Sequence, residues 1–381
     1  MTTAEAIPIY LGQEFYVPAF EIRLRGQPVG KDVVHDVVQV SYKDNVEEID
    51  SFEITINNWD AKERDFKYSD SDLFDPGKQL ELWMGYRGKE PLRLMVVGEI
   101  TALRPLFPAA GQPTLSVSGL NLMHRFRKAQ MSDVYTKMTD SEIAQRIGKR
   151  LQPQAKVETT PVDEDTYDYV IQDNKYDIVF LMERARRIGY DLRVKESGQN
   201  GRPGESVLEF GPSDRVRRVT YQLTYGRSLI EFQPTLDTSS QVGEVIVRGW
   251  DALQKKEIVG RATRKDLRTR GLGEEGGQKQ LEDSFKERKE IVATQPIATR
   301  QEATRIARET LERIAKGLLT ASGSTVGLPD LRAGSVIVVD GMDRRTSSRK
   351  RFNGRYFVTA TTHTIGDGGY TTQFDCRREE I

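Results

Sequence analysis

Three histidines, one cysteine and a large stock of carboxylates are the residues with which this chain could do chemistry. His35, His124 and His363 lie in three different segments, and none has a second ligand-type residue at metal spacing, such as a histidine four residues on. No metal site is expected. His363 stands in a run of alternating threonines, where a hydrogen-bonded structural role is expected. Cys376 has no neighbouring histidine and no Cys-x-x-Cys partner, so it reads as a small core residue rather than a nucleophile. Neither Gly-x-Ser-x-Gly nor Gly-x-x-x-x-Gly-Lys-Ser/Thr occurs. Gly271, Gly273, Gly276 and Gly277 lack the strand-to-helix setting that cradles phosphate. Carboxylates abound, but a glycosidase pair is defined by separation in space, so abundance selects none. Arg184, Arg186 and Arg187 cluster on one predicted helix, and Arg215, Arg217 and Arg218 form a second cluster. Without interleaved aromatics both read as solvated faces or protein contacts, not as a nucleic-acid surface. No catalytic, cofactor-binding or metal-binding residue is assigned, and no cofactor is expected.

The totals point the same way. Charged residues make up 30% of the 381 and balance to zero, so no global field favours nucleic acid or a membrane as partner. The hydrophobic share, 37%, suits several small cores or long exposed polar surfaces. A single cysteine excludes an intrachain disulfide and fits synthesis in the cytosol. Met1–Leu11 has no basic segment followed by an apolar one, as a signal peptide would. No apolar run approaches the ~20 residues of a spanning helix.

The elements that would position any site begin with a repeat. Glu53–Ala61 returns as Glu244–Ala252, at an offset of 191, with Glu, Trp, Asp and Ala identical and Trp59 paired with Trp250. Each copy reads as an alternating strand ending in a Trp-Asp turn. Downstream, Pro76–Leu82 and Arg332–Val338 each lead into a strand, here at an offset of 257. Each copy then closes with two strands, Glu99–Leu106 with Thr114–Leu120 and Tyr356–Ile365 with Tyr370–Cys376. One β module used twice is expected, with five or more strands and short turns suggesting a closed or nearly closed barrel. Residues 1–15 read as a loose arm and Trp59–Asp75 as a loop. Between the copies the composition turns α+β. Thr139 and Glu142 form a capping box ahead of Ile143, Ala144, Ile147 and Leu151 at helical spacing. Asp173 or Asn174 caps a second helix with Ile178, Leu181, Met182, Ala185 and Ile188 on one face and Gly189 at its end. Glu196–Glu205 reads as a hairpin loop, and Lys255–Glu290 as a solvated, mobile, charged loop with a short helix around Gln280–Lys289. Thr299–Glu302 caps a further helix through Leu318.

The segment Tyr169–Tyr190, Tyr-Val-Ile-Gln-Asp-Asn-Lys-Tyr-Asp-Ile-Val-Phe-Leu-Met-Glu-Arg-Ala-Arg-Arg-Ile-Gly-Tyr, resembles the strand–cap–helix–Gly–strand stretch of the phage late control protein D family and of the spike proteins of type VI secretion. A second likeness is C-terminal. It runs from Glu302, Ala303 and Ala307 through Gly327-Leu328-Pro329, Gly334 and Gly354-Arg355-Tyr356-Phe357-Val358 to His363 and Gly369-Tyr370. Together with Gly119 these motifs cover nearly the whole chain in order.

The resemblance implies a β-rich α+β chain: two related tail-tube-like β-barrel modules with α+β insertion domains. Residues 1–120 would be the first module, 121–215 an insertion domain, and 216–381 the second module, with a charged loop and helix inserted at about 253–325. It implies the baseplate hub of a contractile phage tail or related injection system, made in the bacterial cytoplasm and assembled into the particle. A homotrimer would present six modules to a hexameric inner tail tube above, a separate spike protein below and baseplate wedge proteins around it. Neither membrane insertion by this chain nor specific nucleic-acid binding is implied. Type VI spike proteins continue into further domains, so a spike tip is expected to be a separate protein. The competing expectation is a cell-wall-degrading hydrolase or peptidase on a β scaffold, which would need an acid–base pair gathered in a cleft. A carbohydrate-binding module would instead need exposed aromatics, and aromatics are 8% of the chain.

Overall fold

The computed structural model describes residues 7–8, 17–88, 90–150, 156–162, 164–195, 198–199, 202–203, 207–212, 220–251, 254–267, 284–292, 297, 299–342 and 351–378. Six strands make a first set: β1 (Pro18–Leu24), β2 (Val37–Asn45), β3 (Ser51–Asn57), β4 (Gln79–Tyr86), β5 (Arg93–Leu106) and β6 (Thr114–Asn121). A short helix, α1 (Lys31–Asp36), links β1 to β2. An α+β stretch follows, with β7 (Gln130–Met138), α2 (Asp140–Gly148), β8 (Lys156–Thr159), β9 (Tyr167–Tyr176), α3 (Asp177–Ile188), β10 (Tyr190–Lys195) and β11 (Val207–Pro212). Then come β12 (Thr220–Thr224), β13 (Leu229–Leu236), β14 (Glu244–Asp251), β15 (Lys256–Thr263), β16 (Lys289–Val292), α4 (Arg300–Lys316), β17 (Leu319–Val326), β18 (Val336–Asp340), β19 (Gly354–Gly366) and β20 (Gly369–Arg378).

The large sheet contains the same strand order twice. In the first set the spatial order is β1-β4-β5-β6-β3-β2, and in the second it is β12-β18-β19-β20-β17-β13. Numbered by chain position within each set, both read 1-4-5-6-3-2. The last four pairings are antiparallel in both sets. The first is antiparallel for β1–β4 and parallel for β12–β18.

The register agrees to the residue. β5 bulges at Thr101 opposite β6, and β19 bulges at Thr359 opposite β20. Thr101 Oγ1 donates to the Ser118 carbonyl (3.5 Å) and Thr359 Oγ1 to the equivalent Asp375 carbonyl (3.2 Å). Gly77 (φ +90°) and Gly334 (φ +85°) turn equivalently into the fourth strand, each N–H donating at 2.8 Å, to Ile100 and Val358 respectively. A left-handed φ of this kind is what glycine adopts without steric cost.

The expected partner of Glu53–Ala61 is different. Register places Glu53 opposite Ser118, whose equivalent Asp375 faces Ser322, so β3 corresponds to β17. Glu244–Ala252 corresponds instead to β14, in a separate sheet of order β15-β14-β16 under α4. Trp59 pairs with Phe66 in a two-residue ladder, while Trp250 is 62% exposed. The shared alternation is thus a generic strand pattern, but the 257-residue offset downstream is a true equivalence.

No described pairing closes either set into a barrel. β2 pairs with β3 and with β19, and β12 meets β13 only through a bridge from Tyr225 to Leu229. Each set instead curls around its own core. In the first, Ile22, Val40, Phe52, Ile54, Leu82 and Val117 pack together. In the second, Leu223, Leu229, Ile337, Tyr356, Phe374 and Cys376 do so. A third core joins α2, α3 and β10 through Ile143, Ile147, Leu181 and Leu192.

Local chemistry accounts for the helix ends. Thr139 and Glu142 cap α2 reciprocally, and Gly189 ends α3 at φ 72°. Thr299 accepts from the Glu302 N–H (3.1 Å). Neither Asp173 nor Asn174 caps α3, because β9 runs on to Tyr176, which is the N-cap. Within Lys255–Glu290, the described parts include β15 and β16, both paired to β14, rather than a loop throughout. Of the expected helix at Gln280–Lys289, residues 284–287 form turns and Lys289 opens β16. Residues 280–283, Gly271–Gly277, the arginines at 215–218, most of the arm 1–15 and most of Glu196–Glu205 lie outside the described residues.

Candidate assembly interface

The two sets meet where β2 pairs antiparallel with the C-terminal half of β19, from Ala360 opposite Asn45 to Ile365 opposite Val40. The bulge at Thr359 makes this possible. Its N-terminal side keeps β19 on β18, and beyond it the strand leaves β18 and takes β2 as neighbour.

A buried polar network fills this junction. Arg332, in the turn before β18, donates from Nε to Asp44 Oδ2 (2.8 Å), and from Nη2 to the Tyr42 hydroxyl (2.5 Å) and the Met95 carbonyl (2.9 Å). Its guanidinium lies 4.6 Å from the Tyr42 ring centre. Asp44 also accepts from the Ala333 N–H (3.1 Å) and the Thr361 hydroxyl. Behind it, Asp50 accepts from Asn121 Nδ2 (2.8 Å), the Tyr42 hydroxyl (3.3 Å) and the Asn45 N–H (3.3 Å). On the other side His363 Nε2 meets the Leu331 carbonyl at 3.0 Å, so Nε2 carries the proton. Nδ1 then accepts from the Tyr370 and Thr372 hydroxyls, both at 3.1 Å.

Charge explains the protonation states. Burial would raise Asp44, but Arg332, His363 and the Thr361 hydroxyl outweigh it and hold this carboxyl below its ordinary range. Burial, then the Asp44 charge, raise Asp50 to about 7. Burial lowers His363 to about 4, leaving it neutral. One arginine neutralises one of two neighbouring carboxylates, and the second is shifted toward its neutral form.

Eight strands, β13-β17-β20-β19-β2-β3-β6-β5, form a continuous run across both sets. Its solvent face is rich in hydroxyls. One row reads Thr371, Thr364, Ser41, Glu53, Ser118 and Ala102 across six strands, each residue directly opposite the next. The next row reads Glu231, Ser324, Gln373, Thr362 and Lys43. Charges on this face are few and of both signs, including Lys43, Glu53, Arg104, Glu231 and Asp375.

Among the described residues, the two ends of the run are open. β13 pairs only with β17 along its length. β5 beyond Ile100 pairs with β6 alone, because β4 leaves it after Glu99. Large apolar side chains stand exposed at these ends: Ile230 (60%) on β13, and Leu106 (60%) and Phe107 (56%) at the end of β5. Phe107 packs edge-on against Phe66 (4.9 Å), which packs against Trp59 (5.6 Å).

The histidines are not brought together. His35 ends α1, His124 meets Glu99 at 2.8 Å, and His363 sits in the junction. Among the described residues no group of three or more potential ligands could hold a metal ion. Burial raises the Cys376 thiol well above its ordinary value, within the second core. The expectation of a solvated arginine face on α3 is corrected in part. Arg184 is buried against Asp140 and over Tyr167 (4.6 Å), and Arg187 pairs with Glu302 of α4, while Arg186 remains outside. Sequence reasoning missed Arg332, Asp44 and Asp50, since their pairing spans some 288 residues of chain.

This fold is that of phage tail proteins. Over 95% of this chain and 98% of the other, it is similar to the 43 kDa tail protein of prophage MuSo2 from Shewanella oneidensis (TM-score 0.67, 12% identity). It is also similar to a tail protein from Neisseria meningitidis MC58, over 96% of this chain and 98% of that one (TM-score 0.66, 14% identity). A third likeness covers 93% of this chain and 76% of an Escherichia coli component of the type VI secretion system (TM-score 0.58, 14% identity), itself described as structurally similar to T4 bacteriophage tail proteins gp27 and gp5. No curated protein matches the sequence. The chain belongs to the family described as the Alg8 N-terminal domain, whose model matches residues 16–367 and so spans both strand sets up to the end of β19.

Proposed function

We propose that this chain is a structural ring component of a contractile phage tail or related injection system, and specifically the baseplate hub. The observation that carries this reading is the doubled 1-4-5-6-3-2 strand order with a strand-paired junction between the two sets. A chain that joins two equivalent units edge to edge turns threefold assembly into near-sixfold presentation. Each set then acts as a tube-like barrel module whose closure is left open so that its edge continues into a neighbour. The chain would divide into a first module at 1–120, an insertion domain at 121–215 and a second module at 216–381. Three copies of the eight-strand run would form a 24-stranded wall. At about 4.8 Å per strand its backbone circumference is about 115 Å, before strand tilt widens it.

The hydroxyl-rich face would line the bore. It carries no basic stripe and no stacking aromatics, which suits passage rather than grip. The partners would be the inner tube above, a separate spike below and wedge proteins at the periphery, within a particle assembled from cytoplasmically made chains. The likeness to tail proteins supports a tail role, and the late control protein D resemblance supports the hub in particular. No helix among the described residues is long and apolar enough to cross a membrane. The test is imaging of the purified chain with its tube protein. A three-chain ring capping the tube is expected. A monomer that turns over peptidoglycan would overturn the reading.

A further inference from the structure

A cavity of about 190 Å³ indents the solvent face of the eight-strand run over the second set. Ser322, Ser324 and Ala360 leave the space by being small, and Lys43, Glu231 and Asp375 are the charged residues that line it. Register sets Glu231 opposite Ser324 and Asp375 opposite Ser322. Among the described residues neither the Glu231 nor the Asp375 carboxylate has a hydrogen-bond or ion-pair partner. The ammonium of Lys43 is drawn to Glu48 instead, at 3.2 Å.

The first set fills the equivalent place by itself. Register carries Glu53 onto Ser322, Ser118 onto Asp375, Ser116 onto Gln373 and Arg104 onto Thr362. In the first set Arg104 reaches across β6 toward β3, its Nη1 3.9 Å from Glu53 Oε2, above two serines. In the second set the acid has moved to the central strand as Asp375, and threonine stands where the arginine was. The carboxylates remain and the guanidinium does not, so the cavity is a place on the fold from which a cation has been withdrawn.

We propose that this cavity binds the guanidinium group of an arginine side chain carried by another polypeptide. A guanidinium offers five N–H donors and no acceptor, and its planar fork suits carboxylates. Asp375 and Glu231 accept from it, and the hydroxyls of Ser322, Ser324 and Thr362 supply further lone pairs. An ammonium is a compact, more strongly hydrated charge and makes poorer use of acceptors spread over three strands. The cavity is formed within one chain and needs no second copy. Both carboxylates stand in solvent, so each pairing is weak, and affinity for a single arginine is on the order of millimolar and falls with salt. Such a hold suits a segment that touches this face in passing.

The test is ligand-observed saturation-transfer NMR on the full-length chain at low salt, with N-acetylarginine amide as the probe. Binding in the millimolar range is expected, with N-acetyllysine amide several-fold weaker. Asp375→Asn with Glu231→Gln keeps the shapes, removes both charges and should weaken binding roughly tenfold. Ser322→Glu with Thr362→Arg transplants the first set's pair, leaves net charge unchanged and should abolish binding by filling the cavity. A thermal melt close to the parent's establishes that each variant is folded. Binding that survives both double substitutions arises elsewhere and overturns the site. Equal binding of the lysine probe overturns the guanidinium assignment. A parent chain that binds neither probe at tens of millimolar overturns the proposal outright.

Discussion

Asp50→Asn should make stability depend on pH in a way the parent chain conceals. In the folded chain Asp50 is raised from 3.8 to about 7, chiefly by burial and then by the Asp44 charge. From about pH 4 to 7 the folded state keeps a proton that the unfolded state has lost. Its stabilising contribution is therefore full below the unfolded value and is lost as pH rises through 7. His363 acts in the opposite sense. Burial lowers it from 6.5 to about 4, so its contribution is present above 6.5 and is lost as pH falls through 4. At about 1.4 kcal/mol per unit, the two effects are about 4 and about 3 kcal/mol, and between pH ~4.5 and ~6.5 they largely cancel. Asparagine keeps an acceptor for Asn121 and Tyr42 but cannot ionise. Relative to the parent, Asp50→Asn should gain about 4 kcal/mol between pH 4 and pH 8. Taking the difference between the two proteins removes the titrating groups that do not interact with Asp50. Urea unfolding followed by the fluorescence of Trp83, buried in the first set, is the assay. A difference that stays flat from pH 4 to 8 would refute the protonation assignment at this junction.

Three further outcomes follow from the same geometry. Arg332→Met leaves Asp44 charged and buried without its cation, at a cost of about 3–5 kcal/mol, and adding Asp44→Asn should recover part of it in a double-mutant cycle. Gly119→Ala would set a Cβ 2.2 Å from the Glu99 carbonyl oxygen and 2.3 Å from Phe52. It should cost about 1–3 kcal/mol in a thermal melt, and Phe52→Ala should not rescue it because the backbone contact remains. Replacing Pro105 and Pro234 together by alanine restores one backbone donor on each end strand of the eight-strand run, where copies would meet in the proposed ring. Sedimentation should show self-association tightened by roughly tenfold or more, at about 1 kcal/mol per hydrogen bond.

Strand existence was legible because alternation survives in each copy. Leu115 and Val117 alternate with Ser116 and Ser118, and Tyr370, Thr372, Phe374 and Cys376 share a face. The second half of the repeat was legible as well, since Gly77 and Gly334 answer the same backbone demand. The first half misled, for a reason that lies in packing. In the first core Phe52 lies over Gly98 and Gly119, leaving no room for a Cβ on either. The equivalent positions in the second core are Ala321, Tyr356 and Cys376, so the large residue has moved from β3's counterpart to β5's. The large side chain stands at a different position in each copy, so a residue-by-residue comparison does not find the equivalence. With β17's identity hidden, the Trp-Asp likeness at β14 filled the gap. The junction was illegible for a different reason. Asp44, Asp50 and Arg332 carry ordinary surface residue types, and only the crossing of β19 from β18 to β2 buries them together.

That crossing gives the duplication its physical sense. Two identical modules joined by identical edges would have one seam chemistry, and nothing would distinguish the joint inside a chain from the joint between chains. Here the inner joint has Tyr42 and His363 where the outer edges have Pro234 and Pro105. The inner one also has a buried arginine–aspartate pair, whose partners lose strongly if separated. The outer edges present exposed Leu106, Phe107 and Ile230, which gain from association yet lack the donors for unlimited sheet growth. On the proposed ring reading, a chain that assembles with copies of itself has reason to keep these two joints unequal. Pro105 and Pro234, where the inner joint has His363 and Tyr42, are where the sequence makes that difference.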